Sequence, residues 1–191
     1  MGSTGTREQI LSVSADLFAR HGIAGTTMRA IADRCSIKAA SVYHHFSSKD
    51  EIVAAIMGRS SADAAARHEA LRTADLTPRA RIEALVRTTL ENFRDFPEAA
   101  RMFYENPGYV AAAPLLQQVR DEARANDAVW VGAIDDAIAA GVLRSDIEPA
   151  RLKLLLRSMM RSISRDIDTS RIGDVTDDAV ALLLTGVLSK Q

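Results

Sequence analysis

The sequence predicts an all-α fold of nine helices, with a three-helix N-terminal head carried on a larger helical body. Apolar residues recur at helical spacing along the chain. Leu152, Leu155, Leu156, Met159, Met160 and Ile163 stand at i, i+3, i+4, i+7, i+8 and i+11. Strand signals are nearly absent, while the helix formers Ala, Leu and Arg dominate. Capping residues, prolines and glycines fall where helix ends are expected. With 191 residues, 47% of them hydrophobic, the chain is long enough to bury a real core and too apolar to stay disordered.

Thr6 and Gln9 form a capping box that opens the first helix. Ile10, Leu11, Leu17 and Phe18 share one face, and Gly22 stops the helix after His21. The second helix starts at Thr26 or Thr27, either of which can cap free N–H groups. Its stripe is Met28, Ile31, Ala32 and Cys35, with Arg29, Asp33 and Arg34 turned away. Ser36 and Ile37 make the turn. The third helix runs from about Lys38 to His45, with Val42 and Phe46 inward and the rest near an outward face.

Two short helices around a tight turn are common, and the outward residues decide what this pair does. Ala39, Ala40 and Ser41 are small enough to let a helix end approach base edges closely. Lys38, Tyr43, His44 and Lys49 can donate to phosphates, and Arg29 can pair bidentately with a guanine. The pattern reads as a helix-turn-helix that enters a DNA major groove.

The stretch TTMRAIADRCSIKAASVYHHFSSKDEIV resembles the signature of the tetracycline-repressor (TetR) family. The matching residues are Thr26, Thr27, Ile31, Ala32, Ser41, Val42, Tyr43, His45, Phe46 and Lys49. The resemblance covers about the first quarter of the chain. It implies a TetR-like architecture that binds a double-stranded DNA operator as a homodimer. It also implies DNA contacts at Thr27, Arg29, Lys38, Ala39, Ser41, Tyr43, His44, His45 and Lys49. The chain departs from the pattern at Ser36, where many members carry the Gly that a left-handed turn favours.

Ser48 and Glu51 form a second capping box, opening a helix over 49–72. This divides the chain into a DNA-binding domain, 1–48, and a ligand-binding and dimerisation domain, 49–191. Ile52, Val53 and Ile56 should pack under the head, and the far end should reach the body, so this helix is a candidate lever. Thr77–Pro78 opens a helix over 78–95, and Pro97 opens a short one that Asn106-Pro107-Gly108 breaks. A long helix follows from Pro114 to about Ala140, ended by Gly141. Pro149 opens the next, and the last spans about 176–189.

These last two helices carry wide apolar stripes. One copy of the chain can cover one stripe, and a second copy the other, since a symmetric operator requires two reading heads. The expected interface residues are Leu152, Leu156, Ile163, Val180, Leu184 and Val187.

The body also holds most of the chain's few aromatic residues. Phe93, Phe103, Tyr104, Trp130, Met159 and Met160 are the candidates for an apolar ligand cavity, although core packing uses the same residue types. The family resemblance supports a small-molecule inducer, and VWVGAIDDAIAAGVLRSDIEP is weakly similar to members that sense acyl-CoA thioesters or other lipid-derived molecules. Arg157, Arg161 and Arg165 could answer an anionic group, but their spacing also describes a solvated face.

Net charge is −1, with +2 on residues 1–50 and −3 on the remainder, which suits local phosphate binding rather than general coating of nucleic acid. Cys35 is the single cysteine; it cannot form an internal disulfide, and it sits on an apolar stripe as core filler. No apolar run reaches a membrane span, and no secretory signal is visible, so a cytoplasmic protein with no membrane partner is expected. There is no nucleophile–base pair, metal-ligand spacing or phosphate-binding Gly loop, so neither an enzyme nor a cofactor is expected. The expected function is a dimeric repressor released from its operator by a small, largely apolar ligand. The alternative is a helix-turn-helix regulator without a small-molecule switch.

Overall fold

The computed structural model describes residues 3–166 together with 177, 178 and 181. Among these residues there are nine α-helices and no β-strand: α1 Ser3–Gly25, α2 Met28–Arg34, α3 Ala39–His45, α4 Lys49–Thr73, α5 Pro78–Asp95, α6 Pro97–Glu105, α7 Pro107–Ala112, α8 Gln117–Ala139 and α9 Pro149–Asp166. Of the expected helix over 176–189, Asp177, Asp178 and Ala181 are helical, and the rest lies outside the described residues. The chain forms two compact units. The first joins the described residues up to Ser60 with Glu98–Arg120; the second joins Ser61–Pro97 with the described residues from Asp121 onward. Helix α4 contributes residues to both units, and α7 and most of α6 lie in the first. Ile52, Val53 and Met57 of α4 are almost fully buried, which explains why its first turns belong to the first unit.

In the first unit, α1 begins before Thr6 and loses helical geometry at Gly22, whose φ is 73°. The break frees carbonyl groups, and buried Thr26 answers them by donating from Oγ1 to the carbonyls of Gly22 (2.9 Å) and Leu17 (3.4 Å). That leaves Thr27 as the N-cap of α2, accepting from the Ala30 N–H at 3.1 Å. Ile31, Ala32 and Cys35 are buried, and burial pushes the Cys35 thiol pKa up, away from reactivity. Helix α2 packs on both α1 and α3.

The turn after α2 is a complete Schellman motif. The Ile37 N–H reaches the Ala32 carbonyl and the Ser36 N–H reaches that of Asp33, each at 3.1 Å. Ser36 holds the left-handed position with φ 57°. Asn106-Pro107-Gly108 ends α6 at Glu105, as expected, and also starts α7. Pro107 occupies its first turn, where a missing N–H costs nothing. Pro114 makes a single 3-10 turn, Pro114–Leu116, before α8.

In the second unit, Thr77 caps α5 by accepting from the Ala80 N–H at 3.3 Å, with Pro78 in the first turn. Ile82, Leu85, Val86 and Leu90 line the buried face of α5, which packs on α9. Trp130, Ile134, Leu152, Leu156 and Met160 complete this core. Arg67 ties α4 to α5 through Asp95 at 2.9 Å and Glu91 at 3.6 Å, and also pairs with Asp63 at 2.8 Å. Helix α8 ends in a second Schellman motif, with Gly141 at φ 69°.

Candidate functional site

The helix-turn-helix face is built from the bottom by burying one side of α3. Val42 and Phe46 are 0% and 1% exposed, and they hold the short helix against its neighbours. The opposite side is open. Lys38, Ala39, Ala40, Tyr43 and His44 are exposed, while Ser41 and His45 are half-buried. Tyr43, at 55% exposure, is among the largest apolar groups in solvent. The His44 and His45 rings meet edge-to-face with centroids 5.5 Å apart. Lys38 caps the helix through its backbone and makes no side-chain cap, so its ammonium is not engaged at the helix end.

On α2, the Arg29 side chain is 88% exposed, with Asp33 only at 4.0 Å. Its guanidinium is available for a bidentate contact. Thr27 is also exposed, and with its oxygen accepting from Ala30, its hydroxyl proton can be donated outward. Of the nine residues expected to meet DNA, Lys49 is placed differently. It is half-buried, and its Nζ donates to the carbonyls of Ile23 at 2.6 Å and Thr26 at 2.9 Å. Position alone suggested a phosphate contact; the geometry makes Lys49 a brace on the corner between α1 and α2.

The second unit contains a cleft of about 580 Å³ lined by α4, α5 and α8. Its walls are mainly small: Ala65 on α4 and Ala125, Ala128, Val129, Gly132 and Ala133 on α8. Glu69, Arg72, Arg81, Asn126 and Asp136 supply the polar groups. Arg72 is held bidentately by Glu69 at 2.7 and 2.6 Å. Arg81 donates to the carbonyls of Leu71 and Ala74, satisfying the end of α4.

None of the six residues expected at a ligand site lines this cleft. Phe93, Trp130 and Met160 are buried as core, and Met159 is 48% exposed. Phe103 and Tyr104 stack edge-to-face at 5.3 Å in the first unit. This cleft is left by small side chains that meet across helices. The signal was the Ala64–Ala66 run on α4 together with the Ala and Gly positions of α8. Beside the cleft, His68 is buried, with Nε2 3.4 Å from Thr89 Oγ1. Burial holds its pKa below the usual histidine range; the Asn126 side chain opposes this shift, and the Arg157 charge adds to it.

The expected dimer residues divide as well. Leu152 and Leu156 are 1% and 0% exposed and fill the unit's own core, so they are not available to a second copy. The apolar side chains that α9 leaves in solvent are Leu154, Leu155 and Met159. Leu155 and Met159 each sit one position before the inward residues Leu156 and Met160, a difference of register that apolar spacing does not resolve. The side chain of Ile163, and Val180, Leu184 and Val187, lie outside what is described.

Among the described residues, no group of three or more His, Cys, Asp or Glu side chains is placed to hold a metal ion, and no helix is long and apolar enough to cross a membrane.

Comparison with known proteins agrees with this architecture. Residues 10–56 match the family described as bacterial regulatory proteins, tetR family. Residues 75–187 match the tetracyclin repressor-like C-terminal domain. The chain is 31% identical over 150 residues to the HTH-type transcriptional repressor KstR2 of Rhodococcus jostii, covering 77% of this chain and 72% of that one. The structure of the ketosteroid transcriptional regulator KstR2 of Mycobacterium tuberculosis superimposes with a TM-score of 0.90 at 23% identity, covering 100% of this chain and 97% of that one. AibR, in complex with isovaleryl coenzyme A and operator DNA, gives a TM-score of 0.75 at 18% identity, covering 94% and 98%. These two superpositions bear on the fold.

Proposed function

Because this chain belongs to the TetR family of bacterial transcriptional regulators, we propose that it is a homodimeric repressor released from its operator by a small, largely apolar ligand bound in the cleft of the second unit. The observation that carries this reading is α4. It is one unbroken helix, Lys49–Thr73. Lys49 braces the head, while Ala65, Glu69 and Arg72 line the cleft. A ligand that alters the far end of such a helix acts on the element that seats the reading head. It does so only to the extent that it binds one conformer more tightly than the other.

The cleft volume suits a small molecule, and its walls suit an apolar body with one polar end facing Arg72 or Arg81. Acyl-CoA thioesters and related lipid-derived molecules are the class to test first, supported by the isovaleryl coenzyme A bound to AibR and by the ketosteroid regulator among the relatives. Two copies pair through the outward face of α9, where Leu155 and Met159 stand exposed beside Ser158 and Ser162. The protein acts on DNA in the cytoplasm and is not an enzyme.

The test is fluorescence anisotropy with a duplex selected by the protein from a random-sequence pool. Submicromolar, sequence-dependent binding is expected, and equal weak affinity for every duplex refutes the reading. Thermal-shift screening with short- and medium-chain acyl-CoAs then addresses the switch. A true inducer raises the melting temperature by mass action and weakens binding to the selected duplex. A ligand-independent affinity would instead favour a regulator without a switch.

A further inference from the structure

We propose that Tyr109 is a positioning residue for DNA reading, acting through its hydrogen bond to Asp50. The inference rests on α2 and α3 being the DNA-reading pair. It assigns a part in that activity to α7, a helix far from them in sequence.

The first turn of α4 is a three-way joint. Lys49 donates to the Ile23 and Thr26 carbonyls, at the corner between α1 and α2. The next residue, Asp50, accepts from the Tyr109 hydroxyl of α7 at 2.5 Å. Glu51 accepts from the Ser47 N–H at 2.6 Å and from the Ser47 hydroxyl at 2.9 Å, on the segment leaving α3. Three consecutive side chains thus tie three separate elements to one helical turn.

Helix α7 is anchored in its own right. Arg120, at the start of α8, donates to the carbonyls of Val110 at 2.7 Å and Ala113 at 2.8 Å, on either side of the end of α7. The Tyr109 ring is half-buried beside a carboxylate that accepts its hydrogen bond; burial first, and then Asp50, push the phenol pKa well above its usual value, so it remains a donor. A hydroxyl donating to a carboxylate is among the stronger and more directional hydrogen bonds.

Helix α3 cannot orient itself. It has seven residues, and among them Val42 alone is buried. Its pose is set by α2 and by the Ser47–Glu51 exit onto α4. A constraint on the first turn of α4 is therefore a constraint on the reading helix. Asp50 and Tyr109 belong to the same compact unit, so this constraint is internal to the head and its supporting helices.

The experiment uses full-length protein and compares wild type with Tyr109→Phe, Asp50→Ala, Asp50→Asn and the double variant Tyr109→Phe/Asp50→Ala. Binding is read by anisotropy with the duplex selected by wild type, and with an unrelated duplex of equal length, over a range of salt concentrations. Tyr109→Phe is expected to weaken specific binding by about tenfold. Non-specific binding and the salt slope should not change, because no phosphate contact is lost. Asp50→Ala should match Tyr109→Phe, the double variant should be no worse than either, and Asp50→Asn should recover part of the affinity by keeping an acceptor. All are measured well below the melting temperature found by circular dichroism, so a loss of folded protein is seen separately.

Unchanged or tighter specific binding by Tyr109→Phe overturns the proposal. So does a salt slope lower by about one unit, which would make Tyr109 a direct phosphate contact. If wild type itself shows no sequence preference, the failure lies in the DNA-reading assignment. If wild type discriminates and Tyr109→Phe discriminates equally well, only the positioning role fails.

Discussion

The Lys49 ammonium donates to the carbonyl oxygen of Ile23 at 2.6 Å, joining the first turn of α4 to the end of α1. A second bond, to the Thr26 carbonyl, closes the same corner. Lys49→Met should therefore destabilise the protein by about 1–2 kcal/mol in urea melts, because it removes the ammonium that donates to two partly buried carbonyls. The salt slope of DNA binding should stay the same. A slope reduced by about one unit with unchanged stability would restore Lys49 as a phosphate contact.

The two Schellman motifs offer an internal comparison. Gly141 and Ser36 occupy the same left-handed position after α8 and α2, with φ of 69° and 57°. Serine is strained there by its Cβ, and glycine is not. Ser36→Gly should stabilise the protein by about 0.5–1 kcal/mol after the added freedom of the unfolded chain is subtracted. Gly141→Ser should destabilise it by a similar amount. Thermal or urea unfolding measures both, and a destabilising Ser36→Gly would show that the serine side chain makes a compensating interaction.

Arg29 presents the opposite case to Lys49. Its side chain is 88% exposed and Asp33 is too distant to engage it strongly. Arg29→Ala should change stability by less than about 0.5 kcal/mol. If Arg29 reads a guanine, the substitution should relax preference at one base position by about 1–3 kcal/mol. A uniform loss across all duplexes would mean that it contacts phosphate only.

His68 makes stability depend on pH. Its folded-state pKa lies below the ordinary value through burial, so the folded chain resists the proton that the unfolded chain accepts near pH 6.5. The stabilising contribution of neutral His68 is complete above that pH. It declines as the pH falls toward the folded pKa, by at most about 1.4 kcal/mol per pH unit for one proton. Urea melts between pH 7.5 and 5.5 should show this loss, and His68→Gln should flatten it. An equally steep profile in the variant would assign the proton uptake to another group.

Leu155 and Met159 stand one helical turn apart on α9, each 48% exposed. Leu155→Glu should convert the expected dimer to a monomer in light scattering at micromolar concentration, with little loss of subunit stability. Leu156→Ala, by contrast, should cost about 2–5 kcal/mol, because Leu156 is fully buried in the core. Dimers that persist with Leu155→Glu would place the interface elsewhere.

Local chemistry was enough to define the elements that depend on near neighbours. Apolar spacing, the Thr27 and Thr77 caps and the prolines at 78, 97 and 149 each act within a turn or two of chain. The helices, the reading pair and its outward residues were legible for that reason. Long-range packing decided the rest. Lys49 could have faced a phosphate or a carbonyl, and the corner of α1 and α2 determines which. Leu155 and Leu156 are both apolar and adjacent, and the rotation of α9 against α5 decides which one is core. The cleft was not legible in the sequence, because a void comes from small side chains meeting across different helices, and no single stretch of chain records which helices meet. Likewise, Tyr109 and Asp50 are 59 positions apart; their hydrogen bond exists only once the fold brings α7 against the first turn of α4.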